Sequence, residues 1–66
     1  MKNIYKIEYD LYRNGKYDRR LGLLYVSDNI NPDKRKAFRE DLKDEYPIES
    51  GYSIIFVGER IVDKIN

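Results

Sequence analysis

Four segments of this sequence carry the apolar patterning of β-strands, whereas only one segment carries the patterning of a helix. A single amphipathic helix can shield one face of a small sheet and leaves the other face to water or to a partner. The order of the segments predicts an α+β fold, ββαββ, with a four-stranded sheet and one helix packed on one face. We expect one small domain over residues 1–66, with an apolar sheet face left uncovered.

The first two strands are expected to form a hairpin. Apolar residues alternate with mostly polar ones from Tyr5 to Tyr12, a period of two that is typical of a strand with one buried side. Asn14-Gly15 readily takes positive φ, and the apolar stretch Leu21 to Val26 then completes the hairpin. We favour a three-residue loop that begins at Arg13 over a two-residue loop, because it places the leucines of the second strand opposite apolar residues of the first.

The remaining segments predict a helix followed by a second hairpin. Asn31 can cap the free amides of a helix whose first residue is proline, and we expect this helix to run from Pro32 to Glu45 and to end before Pro47. Gly58 and Glu59 match the two central residues of a type II′ turn, which would separate a third strand from a fourth. A helix between strands two and three makes those strands parallel neighbours at the centre of the sheet.

The apolar residues of the uncovered face form the first candidate binding surface. Burying one aliphatic side chain is worth about 1.5–3 kcal/mol, so covering several of them matters to a domain of this size. We expect the cover to be a protein partner or a second copy of the chain. The alternative is cover within the monomer, by the long side chains of Lys6 and Arg20 and by the loop Tyr46 to Ser50. The partner-binding residues are Leu24, Val26, Ile55, Val57 and Val62.

Two clusters of basic residues form the second candidate surface. The helix is basic in its first half and acidic in its second, the reverse of what the helix dipole favours, and a basic helix start can receive phosphate or an acidic partner. The other cluster lies at the tip of the first hairpin, beside two tyrosines that can stack on bases. The alternative function is therefore a nucleic-acid-binding regulator. Its candidate residues are Arg13, Lys16, Arg19, Arg20, Lys34, Arg35, Lys36 and Arg39, with Tyr12 and Tyr17.

Composition limits the other function classes. The chain has no His and no Cys, so it has neither the usual general base near neutral pH nor a thiol nucleophile nor common zinc ligands. Glu8, Asp10 and Asp18 are expected to be solvated, and no calcium loop or phosphate loop is recognisable. We therefore expect no enzyme, metal, cofactor or small-molecule substrate. The net charge of +1 provides no overall attraction for nucleic acid, and the longest apolar run, Ile54 to Val57, is too short to cross a membrane.

These expectations favour a small non-enzymatic protein-binding module that docks through an open sheet face and a charge-polarised helix. The missing Cys and the alternating first residues favour the cytoplasm. A short chain rich in Lys, Ile, Asn and Tyr suggests an inhibitor or accessory factor of phage or mobile-element type.

Overall fold

A computed structural model describes all 66 residues of the chain, which form three strands and one α-helix. Strands β1 (Lys2–Arg13) and β2 (Lys16–Ser27) precede helix α1 (Pro32–Glu45). A 3-10 turn over Ile48–Ser50 then leads into strand β3 (Tyr52–Ile65). All pairings are antiparallel and the strand order is β2-β1-β3, so β1 is the central strand of a small α+β fold.

The predicted ββαββ order with a four-stranded sheet is wrong, because the segment after the helix is one continuous strand. A type II′ turn requires positive φ at Gly58, but the glycines with positive φ are Gly15 and Gly51. Gly58 instead lies opposite Glu8 within the sheet. A strand of 14 residues can form hydrogen bonds with the backbone along the whole second edge of β1. The first strand of a short hairpin would cover only part of that edge and leave the remaining backbone groups unpaired. The two strands that flank the helix are therefore separated by β1 and are not parallel neighbours.

The first hairpin has the predicted strands and a different turn. Asn14 and Gly15 have φ values of 52° and 79°, which is the type I′ geometry of a two-residue loop. The expected three-residue loop is therefore wrong. Asp18 is left without a partner where the register shifts, and this bulge brings the β2 leucines back to the face of the apolar β1 residues. Leu21 consequently lies opposite Tyr9.

The helix begins and ends where the sequence predicts, at Pro32 and Glu45. The side chain of Asn31 accepts a hydrogen bond from the backbone N–H of Asp33 at 3.1 Å, so the predicted N-cap is confirmed. The N–H of Tyr46 donates to the carbonyl of Leu42 at 2.7 Å and closes the last turn. Local capping chemistry therefore accounts for both ends of α1.

One face of the sheet, the covered face, packs against α1. Its core is formed by residues of β1, by one residue of β2 and by Leu42 of the helix, with Phe38 packed beside them. The rings of Tyr5 and Tyr25 stack with centroids 5.1 Å apart, which joins β1 to β2. No second layer of secondary structure covers the opposite side, the open face. The core residues are Tyr5, Ile7, Tyr9, Tyr25 and Leu42.

Candidate functional site

The open face has a charged centre. Glu8, which was expected to be solvated, is buried with 6% of its surface exposed. Arg60 donates a hydrogen bond to its carboxylate, and the guanidinium of Arg20 lies 3.8 Å from it. Arg20 also donates to Asp10 at 2.9 Å, and this hydrogen bond raises the pKa of Arg20 above its ordinary value. Long arginine side chains therefore cover the middle of this face, as the monomer alternative expected of Arg20.

The five residues predicted to bind a partner do not form one continuous patch. Leu24 and Val26 lie on the open face of β2, at the end of the sheet away from the turn. Ile55 lies on the open face of β3, where it is opposite Asp10, the residue of β1 that also pairs with Arg20. Val57 and Val62 occupy the two bulges of β3, where its register with β1 shifts. All five are between 43% and 59% exposed, so the apolar surface is divided between the two edges of the sheet.

The two sheet edges differ in regularity. β3 contains two bulges, which twist an edge and interrupt its ability to pair. β2 makes nine consecutive pairs with β1 from Arg19 to Ser27, so the outer backbone groups of this segment, the β2 edge, form an unbroken row. Leu24 and Val26 flank the row on the open face, and Leu23 lies half-buried on the covered face. An edge with these properties is a template for another strand.

On the covered face, a groove separates α1 from β3. It consists of two adjoining cavities of about 560 and 420 Å³, which share Arg39 and Ile54. One wall is basic and the other is apolar or aromatic. Helix residues Arg35, Lys36, Arg39 and Lys43 line one wall of this α1–β3 groove, and strand residues Tyr52, Ile54 and Phe56 line the other.

Three arginines of the predicted basic clusters lie on the covered face, and each one stacks on an aromatic ring. Their guanidinium carbons are 5.2 to 5.4 Å from the ring centroids, the geometry of a cation–π contact. Arg19 also donates a hydrogen bond to the hydroxyl of Tyr46, which raises the pKa of Arg19. The pairs are Arg13 with Tyr52, Arg19 with Tyr46, and Arg35 with Phe56.

The other predicted basic and stacking residues lie elsewhere. Arg20 is on the open face, where it is occupied by acids. Tyr12 and Tyr17 pair edge to face near the turn, also on the open face, with centroids 5.7 Å apart. Lys16 follows the turn, and Lys34 is exposed on α1 outside the groove. The structure therefore brings together only part of the predicted basic set.

A second acid with a buried side chain lies on the covered face and was not identified from the sequence, which assigned Glu59 to a turn. The side chain of Glu59 is 3% exposed, accepts a hydrogen bond from the hydroxyl of Tyr25, and has Arg35 3.8 Å away. Its Oε1 atom has no hydrogen-bond partner. The Tyr25 hydroxyl accepts a bond from the backbone N–H of Asn31 at 3.0 Å, which connects the helix start to the sheet. Burial raises the pKa of Tyr25, and the hydrogen bond to Glu59 raises it further.

Neither the arrangement of the acidic residues nor similarity to known proteins points to an activity. No group of acidic residues is arranged to hold a metal ion. The one α-helix has neither the length nor the hydrophobicity needed to cross a membrane. The chain matches no protein-family model, no curated protein and no solved structure. The β2 edge and the α1–β3 groove are the two candidate functional surfaces of the structure.

Proposed function

We propose that this chain is a small non-enzymatic protein-interaction module that associates by strand addition at the β2 edge, and that the added strand is β2 of a second copy. The observation that carries the proposal is the unbroken row of outer backbone groups from Arg19 to Ser27. Strand addition satisfies such a row through main-chain hydrogen bonds, while the flanking side chains select the partner. An inhibitor or accessory factor could use the same edge for a strand from another protein.

Side-chain sizes on the open face favour self-pairing. Antiparallel pairing of two β2 edges about Leu23 aligns the whole segment from Arg19 to Ser27 with its counterpart. In this register Leu24 lies beside Gly22 of the second copy on the open face. Leu24 is the most exposed apolar residue of β2, and Gly22 is the one position of the edge without a side chain. Only the flexible end of the Lys6 side chain lies over Gly22, so a leucine of the second copy can displace it, and the edge is self-complementary in shape.

The covered face and the charges agree with the same register. Leu21 would lie opposite Tyr25, and the two copies of Leu23 would meet at the symmetry axis, so apolar residues pair with apolar residues. The two arginines at one end of the segment would lie opposite the serine and the valine at its other end. No like charges are opposed, which removes the usual electrostatic penalty for pairing identical basic strands.

The expected product is a closed dimer with a six-stranded sheet. A two-fold interface uses the same surface on both subunits, so it leaves no second β2 edge free for growth. The outer edges of this sheet would be the two copies of β3, whose bulges disfavour further pairing. Strand addition would therefore end at two chains.

Leu24→Asp and Ile55→Asp form a matched pair of variants for this proposal. Both residues are aliphatic, lie on the open face and are similarly exposed, at 59% and 54%, but they belong to opposite edges. We expect Leu24→Asp to raise the Kd for self-association by about tenfold or more, because it places a charge where Leu24 would pack on the second copy. Ile55→Asp should leave the Kd unchanged. Sedimentation equilibrium measures both values, and circular dichroism checks that both variants are folded.

Hydrogen exchange locates the interface. In the wild-type protein, β2 amides should become more protected as concentration rises, whereas β3 amides should not. A wild-type protein that remains monomeric at millimolar concentration contradicts the second copy as occupant. An equal loss of self-association affinity in Leu24→Asp and Ile55→Asp contradicts the choice of the β2 edge. Amide protection that rises with concentration in β3 contradicts it as well.

A further inference from the structure

The side chains that line the two walls of the α1–β3 groove recur at similar intervals. The helix wall carries a cation at every fourth position, which spaces the charges by about 6 Å along the helix axis. The strand wall carries an apolar or aromatic side chain at every second position, about 6.6 Å apart along the strand. The two rows run side by side: Arg35 lies over the ring of Phe56, and Lys43 and Tyr52 line the same cavity. Their members are Arg35, Arg39 and Lys43 on α1, and Phe56, Ile54 and Tyr52 on β3.

The charge of the groove favours an anionic ligand. Four basic side chains line it, against two acidic ones, Glu40 and Glu49, so the groove is more positive than the chain as a whole. Glu40 is itself paired with Lys43, at 3.9 Å. Arg13 and Arg19 continue the basic surface towards the hairpin turn on the same face. Arg35 faces Glu59 at 3.8 Å, whereas Lys36 and Arg39 form no ion pair, so an extended polyanion would meet its strongest attraction in the middle of the groove.

Flat stacked surfaces indicate which polyanion fits. Phe56 is 44% exposed, and Arg35 lies over its ring 5.3 Å from the centroid. Nucleic-acid bases stack on both aromatic rings and guanidinium planes, whereas carboxylates of an acidic peptide need only the charges. The cavity beside Phe56, about 560 Å³, is within the usual range for sites that enclose small aromatic groups. A concave groove of this kind receives unpaired bases, which a duplex does not offer.

We propose that the α1–β3 groove binds single-stranded nucleic acid, with phosphates along the helix wall and bases along the strand wall. This site does not depend on self-pairing at the β2 edge, because it lies at the opposite edge of the sheet. Arg39 is shared by both cavities and is the central cation of the site. The Phe56 ring with the Arg35 guanidinium stacked over it is the principal stacking surface.

Binding of a short fluorescein-labelled oligothymidylate, measured by fluorescence anisotropy over a range of salt concentrations, tests the proposal. Arg39→Gln should weaken binding about tenfold and should reduce the slope of log K against log salt by about 0.7, the contribution of one phosphate contact on a single strand. Phe56→Leu should weaken binding by a similar factor and leave the salt slope unchanged, because it removes a ring and no charge. Arg39 is exposed, so its variant retains the fold.

Lys34→Gln is the matched control, since it removes one charge from the same helix outside the groove. It should leave both affinity and salt slope unchanged. Equal losses for Lys34→Gln and Arg39→Gln would show that only overall charge matters, which overturns the site. Unlabelled duplex DNA that competes as well as the single strand overturns the choice of single strands. Polyglutamate that competes equally at the same ionic strength assigns the groove to acidic peptides instead.

Discussion

Glu8 and Glu59 are buried acids on opposite faces of one sheet, and their carboxylates are compensated in different ways. Glu8 on the open face is approached by Arg60 and Arg20, whose side chains are 59% and 50% exposed. Glu59 on the covered face depends on the Tyr25 hydroxyl and on an arginine 3.8 Å away, and one of its oxygens has no hydrogen bond. Each carboxylate therefore has one hydrogen-bonded oxygen and a guanidinium 3.8 Å from the other oxygen. The arginines at Glu8 are exposed and can adjust, whereas Glu59 receives only the groups that the packed helix places beside it.

The surroundings of Glu8 divide the apolar surface of the open face into separate patches. Glu8 lies between Gly22 and Gly58, so neither neighbouring strand contributes a side chain in its row. Arg20 and Arg60 bring their guanidinium groups to Glu8 across this gap, and the aliphatic stem of Lys6 lies against Gly22. Long polar side chains can therefore take the place of a second layer, which leaves exposed apolar residues mainly at the edges.

The largest difference between the two acids should appear when Tyr25→Phe removes the hydroxyl. We expect the free energy of unfolding at neutral pH to fall by about 2–3 kcal/mol, because Glu59 loses its hydrogen bond while remaining buried and the N–H of Asn31 loses its acceptor. Urea denaturation measures the change. Tyr17→Phe is the control, since Tyr17 is 56% exposed and forms no such link. A similar loss in both variants would mean that the buried network contributes nothing.

Neutralising each acid in turn should change the free energy of unfolding by different amounts. Glu8→Gln should lower the free energy of unfolding by about 1–2 kcal/mol, because Arg60 loses a charge-assisted hydrogen bond. Glu59→Gln should change stability by less than about 1 kcal/mol, because the amide oxygen still accepts from Tyr25, and removal of a buried charge offsets the cost of an amide NH2 group that finds no acceptor beside Arg35. Urea denaturation of both variants decides the point, and equal losses would contradict the distinction between the two sites.

The smallest effect should appear at alkaline pH. Burial raises the pKa of Tyr9 and Tyr25 above the ordinary value of 10.0, so the folded state holds these protons more tightly than the unfolded state does. Their contribution to stability is therefore complete below pH 10 and is lost as the pH rises through the folded-state pKa values. Ultraviolet titration of tyrosine ionisation should show a late phase that Tyr25→Phe reduces. Glu59→Gln should shift that phase to lower pH and Glu8→Gln should not; no shift in either would remove Glu59 as a cause.

The sequence predicted those parts of the molecule that depend on neighbouring residues. The alternation around Ile7 identified the buried side of β1, and Asn31 with Pro32 identified the start of a helix whose end was also predicted. The Asn14-Gly15 dipeptide located the first turn, although not its loop length. These features are set within a few residues, by side-chain periodicity, by capping hydrogen bonds and by backbone φ preferences.

Of the candidate sites, the sequence identified the basic residues of the helix and of the hairpin but not the groove that some of them line. The partners of those residues, Phe56 and Ile54, come from a strand that follows the helix and returns beside β1. No local signal in either segment specifies that return. The residue types of each surface were therefore predictable from the sequence, but their arrangement in space was not.

By itself, the sequence determined the helix, the first hairpin and the buried side of β1. Only the tertiary structure decided that Gly58 continues a strand, that β1 lies at the centre, and that Glu8 is buried beneath Arg60, which is 52 residues away. Gly58 can turn or extend on local grounds, and the free edge of β1 decides between the two by offering hydrogen bonds along a whole strand. The burial of Glu8 likewise depends on a cation that the strand order places above it.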